Sequence, residues 1–160
     1  MSEMRALSIM QPWVNAITHG DKRVENRSWR APEWVIGKRI ALHASKGFDR
    51  DAGFPDGKDA MWQPPQHLPL GAVVASAAII GCHPMHHECD PAGAWAPVCS
   101  PWAVWGQCHW LLGDVHALPD PIPCRGALGL WKLPEDVERA MRRQLDAVCS
   151  LLWGMEDGDE

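Results

Sequence analysis

Apolar and polar positions alternate in short bursts along most of the chain and take up a helical rhythm only twice. Residues 6–10 predict a first strand. Gln11-Pro12 then opens a helix, because proline near a first helical position forgoes an N–H that has no partner there. Trp13, Ala16 and Ile17 give that helix an apolar side, and Gly20 is placed to end it. Residues 23–29 alternate, and residues 36–45 follow a Gly37-Lys38 turn, so both predict strands. Residues 71–81 hold the nearly continuous run Val73, Val74, Ala75, Ala77, Ala78, Ile79, Ile80, which fits a central strand buried on both faces. Residues 102–112 and 127–132 predict two more strands. After Leu133-Pro134-Glu135-Asp136, the positions Val137, Met141, Leu145, Val148 and Leu152 recur at helical spacing as far as Trp153.

Two stretches break the pattern. Residues 47–69 carry Gly, Pro and Asp and predict the most mobile loop, and residues 82–101 are a Pro-, His- and Cys-rich loop. The sum is an α+β chain of about six strands with an early and a late helix, whose natural closed solution is a small mixed β-barrel with the helices outside. Residues 1–133 then form the barrel domain, 134–153 a C-terminal helix packed on it, and 154–160 a disordered acidic tail.

Composition sharpens this picture. Fourteen Gly and fourteen Pro in 160 residues favour many short elements over a helical bundle. Ten Trp against two Phe and no Tyr supply side chains that serve cores and base-stacking platforms equally well. The net charge of −5 excludes a protein that coats nucleic acid, yet the first fifty residues carry nine Lys/Arg against five Asp/Glu. An anionic or nucleotide-like partner would sit there. No signal-peptide core and no apolar run long enough to span a membrane occur, so a cytoplasmic location with no membrane contact is expected, and the six Cys are read as reduced thiols.

The densest chemistry lies at Gln11-Pro12-Trp13 and in Gly20-Asp21-Lys22-Arg23-Val24-Glu25-Asn26-Arg27-Ser28-Trp29. On a strand, Glu25, Arg27 and Trp29 share one face, with Lys22 at its mouth. That set can hold a planar polar ligand and act on it, or it can be a surface strand with ion pairs worth little in water. His43 and Ser45, with Lys46 at the rim, either line the same cleft or form a solvated strand end. In Cys82-His83-Pro84-Met85-His86-His87-Glu88-Cys89, five soft or borderline ligands crowd eight residues, but the spacing matches no common zinc module. A second half-site, such as Cys99, Cys108 or His109, would have to come from elsewhere. The expectation is therefore no cofactor and no metal. Among Trp95, Trp102, Trp105 and Trp110, most are expected in the core and one or two in the cleft wall. Helical ion pairs account for Arg139, Arg142 and Arg143.

These residues resemble the ASCH domain family, a branch of the PUA-like β-barrel folds. The family pattern is an opening strand, Gln-Pro, a helix, then Gly-x-Lys-x-x-Glu-x-Arg. The chain has Leu7-Ser8-Ile9, Gln11-Pro12, Gly20, Lys22, Glu25 and Arg27 in register. The likeness continues through Ala41-Leu42-His43-Ala44-Ser45-Lys46, Gly71-Ala72-Val73-Val74-Ala75, Leu118-Pro119-x-Pro121-Ile122-Pro123-x-Arg125-Gly126 and Gly129-Leu130-Trp131. It implies a PUA-like barrel cleft that binds RNA or a nucleoside. Some similar proteins are amidohydrolases that cleave the acyl group from N4-acylated cytidine, others are single-strand ribonucleases, and many have no assigned activity. In the amidohydrolases a Lys, a Thr three residues later and a remote Glu carry catalysis. Lys22 matches the Lys, Glu25 stands where the Thr would be, and the intervening loop offers only Glu88 as a remote acid.

The resulting expectation is an enzyme or a binder. As an amidohydrolase, Lys22 and Glu25 are catalytic, and Gln11, Trp13, Arg27, Trp29, His43, Ser45 and Lys46 bind a nucleoside or short single-stranded RNA. As a non-catalytic RNA-binding module, the same residues bind without turnover; a single-strand ribonuclease is the third reading. No protein partner is implied. Lys22, Glu25 and His43 are expected to line one pocket.

Overall fold

The computed structural model describes residues 3–84, 89 and 99–153. Residues 85–88, Trp95 and the acidic tail 154–160, about which the sequence sets expectations, lie outside the described residues. The elements are β1 (Arg5–Gln11), α1 (Trp13–Thr18), β2 (Val24–Arg27), β3 (Arg39–Phe48), β4 (Ala72–Pro84), β5 (Cys108–Pro123), β6 (Leu130–Lys132) and α2 (Glu135–Trp153), with 3-10 turns at Glu33–Val35, Asp59–Met61 and Pro65–His67. The strands form one six-stranded sheet in the order β2-β5-β4-β3-β1-β6. β1 and β3 are parallel; every other neighbouring pair is antiparallel. The pairing is an open series ending at β2 and β6, so the ladder does not close into the expected barrel.

Alternation divides the core between the two faces of the sheet. Leu7, Ile9, Ile40, Leu42, Val74 and Ile79 point to one side, where Val14 and Ile17 of α1 and the fully buried Trp110 complete a cluster. Ala6, Ala41 and Val73 point to the other, where α2 lays Val137 and Met141 beside Leu118 and Trp131. Leu145 continues this stripe, but Leu152 is exposed. No helix among the described residues is long and apolar enough to cross a membrane.

β5 corrects the expected strand at 102–112: it starts later and runs through Pro119, Pro121 and Pro123. Prolines are tolerated because this half of β5 is paired on one side only; β2 covers just Cys108 to Leu111. Where the register with β4 breaks, Gln144 of α2 bonds both the N–H and the C=O of Asp120. Gly20 is explained by space and not by a left-handed cap. A Cβ there would lie 2.6 Å from the Ala16 carbonyl oxygen and 2.7 Å from Met61 Sδ.

Candidate functional site

β2 is too short to bury a full apolar face, and its buried positions include a charge. Glu25 stands opposite Trp110 of β5, so the core cluster lies directly behind it. Lys22, just before the strand, is 2% exposed; its ammonium donates to the Val24 carbonyl and lies 3.3 Å from Glu25 Oε2. Burial pushes the Lys22 pKa below its ordinary value, and Glu25 pulls it part of the way back. The other carboxylate oxygen, Glu25 Oε1, lies 3.0 Å from Arg27 Nε, off the hydrogen-bonding direction. Arg27 Nη2 donates to the Ser8 carbonyl on β1. The carboxylate is therefore held between two cations.

Lys22 and Glu25 form part of the wall of a cavity of about 450 Å3. Trp13, Phe54 and Trp102 supply its aromatic surface, and Asn26 and Asp49 its further polar groups. The aromatic rings are fixed in turn. Trp13 Nε1–H donates to Asp49, Trp102 Nε1–H donates to Asp21, and Phe54 packs against both indoles at 5.5 and 5.4 Å between centroids. Asn26 pins the remaining wall: its Nδ2 donates to the Trp102 carbonyl, and its Oδ1 accepts from Val104 N–H.

The expected site residues divide accordingly. Lys22, Glu25 and Trp13 are brought together. Arg27 stands behind Glu25 and does not line the cavity. Gln11 is buried with both amide ends used, to the Pro69 carbonyl and the Asn15 N–H, so it shapes the start of α1. Trp29 lies beyond the end of β2, packs edge-on against Trp110 and accepts the Trp110 N–H at its carbonyl. His43, Ser45 and Lys46 line a second cavity of about 380 Å3 with Ser8, Arg125 and Gly126. The single pocket expected for Lys22, Glu25 and His43 is thus two. The reason is strand alternation: His43 and Ser45 share the face of Ala41, on the α2 side of the sheet.

His43 is itself a packed, neutral group. Trp131 Nε1–H donates to Ser8 Oγ, Ser8 Oγ meets His43 Nδ1 at 3.1 Å, and His43 Nε2 meets the Cys124 carbonyl at 2.8 Å. Burial lowers its pKa. Ser45 Oγ is buried without a hydrogen-bond partner among the described residues.

Residues missed from the sequence are Asn26, Asp49 and Phe54. Phe54 carried a signal, being one of only two phenylalanines and lying in the long 47–69 excursion.

Comparison with known proteins places this geometry. A family model of the ASCH domain matches residues 7–103. The chain belongs to the ASCH domain family. Among solved structures, this ASCH chain matches the crystal structure of ASCH from Zymomonas mobilis at 14% identity with a TM-score of 0.54, covering 88% of this chain and 94% of that one. A tyrosine-to-phenylalanine variant of the Zymomonas mobilis protein matches at 14% identity and TM-score 0.55, covering 89% and 98%. A serine-to-alanine variant matches at 15% and 0.52, covering 88% and 95%. At these identities the likeness establishes the shared fold. No match is found among curated proteins.

Proposed function

We propose that the cavity between α1, β2 and residues 101–104 binds a nucleoside, or one base of a short single-stranded RNA, and hydrolyses an N4-acylcytidine-type amide. One observation carries this reading: a buried ammonium–carboxylate pair sits in the wall of a 450 Å3 cavity that three aromatic rings also line. The volume suits one nucleoside. Trp13, Phe54 and Trp102 offer faces and edges to a base, and Asn26 and Asp49 offer polar groups for its edge or its ribose. In this reading the curled sheet serves as the PUA-like barrel, with Arg27 reaching from β2 to β1 across its open seam. His43, Ser45 and Lys46 face the second cavity and take no part.

The chemistry follows from the pair. Glu25 takes a proton from a water that attacks the acyl carbonyl, and Lys22 stabilises the oxyanion that forms. Collapse breaks the C–N bond, the proton passes to the departing cytosine amine, and a carboxylate leaves. Burial lowers the Lys22 pKa and makes the ammonium a better proton donor than a solvated lysine. Arg27 orients the carboxylate from behind.

The same pairing supports a second reading. Both Glu25 oxygens are already engaged by cations, which suits a non-catalytic binding module as well as a general base. Incubation with N4-acetylcytidine and, separately, with short single-stranded RNA, followed by product analysis, distinguishes the readings. The amidohydrolase releases acetate and cytidine. Lys22→Met should then leave nucleoside binding within a few-fold while turnover falls roughly 10²–10³-fold, the usual cost of a lost oxyanion donor. Lys22→Arg should not restore the rate, because guanidinium does not give up its proton. Binding without product identifies the module, and cleaved RNA identifies a ribonuclease.

A further inference from the structure

At the end of the β4–β5 ladder, where His109 pairs with Asn26 one register position from the pairing of Glu25 with Trp110, four side chains converge that the proposed chemistry does not use. His83 of β4 is registered directly opposite His109 of β5. Their rings stand edge to face with centroids 5.2 Å apart. Cys89 and Cys99 reach the same point. Cys89 Sγ lies 3.3 Å from Cys99 Sγ, and each sulfur lies 3.3 Å from His109 Nδ1. All four donor atoms fall within 4.8 Å of one another.

We propose that His83, Cys89, Cys99 and His109 form a structural zinc site of the Cys2His2 type. Zinc–sulfur bonds of about 2.3 Å and zinc–nitrogen bonds of about 2.0 Å in a tetrahedron set donors roughly 3.3–3.8 Å apart. The observed S–S and S–N separations of 3.3 Å lie at the short edge of that range, a few tenths of an ångström inside a zinc-filled tetrahedron, and are well beyond the bonded length of a disulfide, roughly 2.05 Å. The ring nitrogens are prepared for it. His109 Nε2 meets the Val104 carbonyl at 2.8 Å, which places the proton on Nε2 and leaves the Nδ1 lone pair facing both sulfurs. His83 Nδ1 meets the Pro84 carbonyl at 3.2 Å, which frees Nε2. Cys89 and His109 are fully buried. Two thiolates and two imidazoles select zinc over magnesium or calcium, and four protein ligands leave no open position, so the site holds structure and does no catalysis.

This proposal departs from the expectation of no metal. That expectation rested on spacing within residues 82–89, whereas the donor set follows His83-x5-Cys89-x9-Cys99-x9-His109, closed by strand register rather than by local sequence. The site's position assigns its role. His109 holds the Val104 carbonyl, and residues 101–104 wall the 450 Å3 cavity. Zinc would staple that wall to the end of the sheet.

The test is metal analysis of the full, tag-free chain purified with reductant and without chelator. The expected result is about one zinc per chain, lost in Cys89→Ser and in Cys99→Ser and kept in Cys124→Ser and Cys149→Ser. Because the ligand variants can misfold, the wild-type chain is also stripped and titrated with Co2+. One equivalent should produce the visible bands and thiolate charge transfer of tetrahedral cobalt. Stripping should also speed amide exchange at residues 102–104 but not in β1. Metal-free protein with free thiols and no cobalt–thiolate spectrum would overturn the site, as would iron or copper in place of zinc, or zinc retained in Cys89→Ser. Unchanged exchange at 102–104 would overturn the stapling role.

Discussion

Removing either partner of the Lys22–Glu25 pair should cost more than the pair is worth. The two side chains are 3% and 8% exposed and 3.3 Å apart, so deleting one strands a charge away from water. Such single deletions cost about 3–5 kcal/mol. Lys22→Met belongs at the low end, about 3 kcal/mol, because Arg27 still stands 3.0 Å from Glu25. For a domain of this size that is a Tm fall of roughly 6–12 °C. Glu25→Gln leaves a buried lysine that can escape its penalty by losing a proton. The double variant leaves neither charge stranded, so its loss should fall short of the summed single losses by about 1.5–3 kcal/mol. Urea unfolding of the four proteins near neutral pH measures this coupling, and additivity within about 0.5 kcal/mol would refute the pairing argument. A pH series adds an independent check. Burial lowers the Lys22 pKa while Glu25 raises it, so Glu25→Gln should lower it further. A lysine whose folded pKa lies below its unfolded value of about 10.4 binds fewer protons when folded, so stability rises with pH between the two values. That window opens at lower pH in Glu25→Gln. The variant should gain more stability than wild type between about pH 7 and pH 9.5, and parallel slopes would contradict the assignment.

Other expectations follow from single contacts. Gly126→Ala would place a Cβ 2.5 Å from His43 Cε1 and 2.8 Å from Ser8 Oγ; overpacking of this kind costs about 1–3 kcal/mol, read as a Tm drop of roughly 2–12 °C, and an unchanged Tm would show that the segment yields freely. His43 has a folded pKa below its ordinary value, so its contribution is present above about pH 6.5 and is lost on acidification; His43→Gln should lose less stability than wild type between about pH 7 and pH 5, and identical acid slopes would refute the buried neutral imidazole. Asn26→Ala removes both ties to residues 102–104 and should destabilise by about 1–3 kcal/mol, with faster amide exchange at Val104; protection equal to wild type would show that other contacts hold the wall.

Local patterning made most of the fold legible, because each element satisfies its own periodicity. The apolar run at 73–80 became β4, paired with β5 along its length and with β3 as far as Ala78, and the 3.6-residue stripe at Val137, Met141 and Leu145 became the packed face of α2. What was missed depends on distant partners. Three alternating prolines in β5 read as a strand breaker until Gln144 and the unpaired edge are seen to absorb them. The site was legible to the same depth. Lys22, Glu25 and Arg27 could be grouped because a two-residue period is local information. His43 could not be excluded from that group, because only the sheet order shows that its face belongs to α2. Strand alternation turns Asn26 away from Glu25, yet its amide catches the 102–104 backbone from there. The donors at His83 and His109 meet through a cross-strand register between residues twenty-six apart in sequence, which no spacing rule within a loop can reveal.

Arg27 ties these observations together physically. The sheet's ladder ends at β2 on one side and β6 on the other, and no strand pairing joins β2 to β1. The connection is made by the guanidinium: Nε faces Glu25, while Nη2 reaches the Ser8 carbonyl at 2.7 Å. A lysine at this position could neutralise the carboxylate but could not also donate along a second, fixed direction, because its charge is a single compact group on a flexible stem. The planar fork therefore does two jobs at once. It sets positive charge against Glu25 on the side away from Lys22, and it ties β2 to β1 at Ser8, whose hydroxyl belongs to the His43 network of the second cavity. The two cavities are separate in lining, and the guanidinium lies outside both, joining β2 beside the first to β1 beside the second.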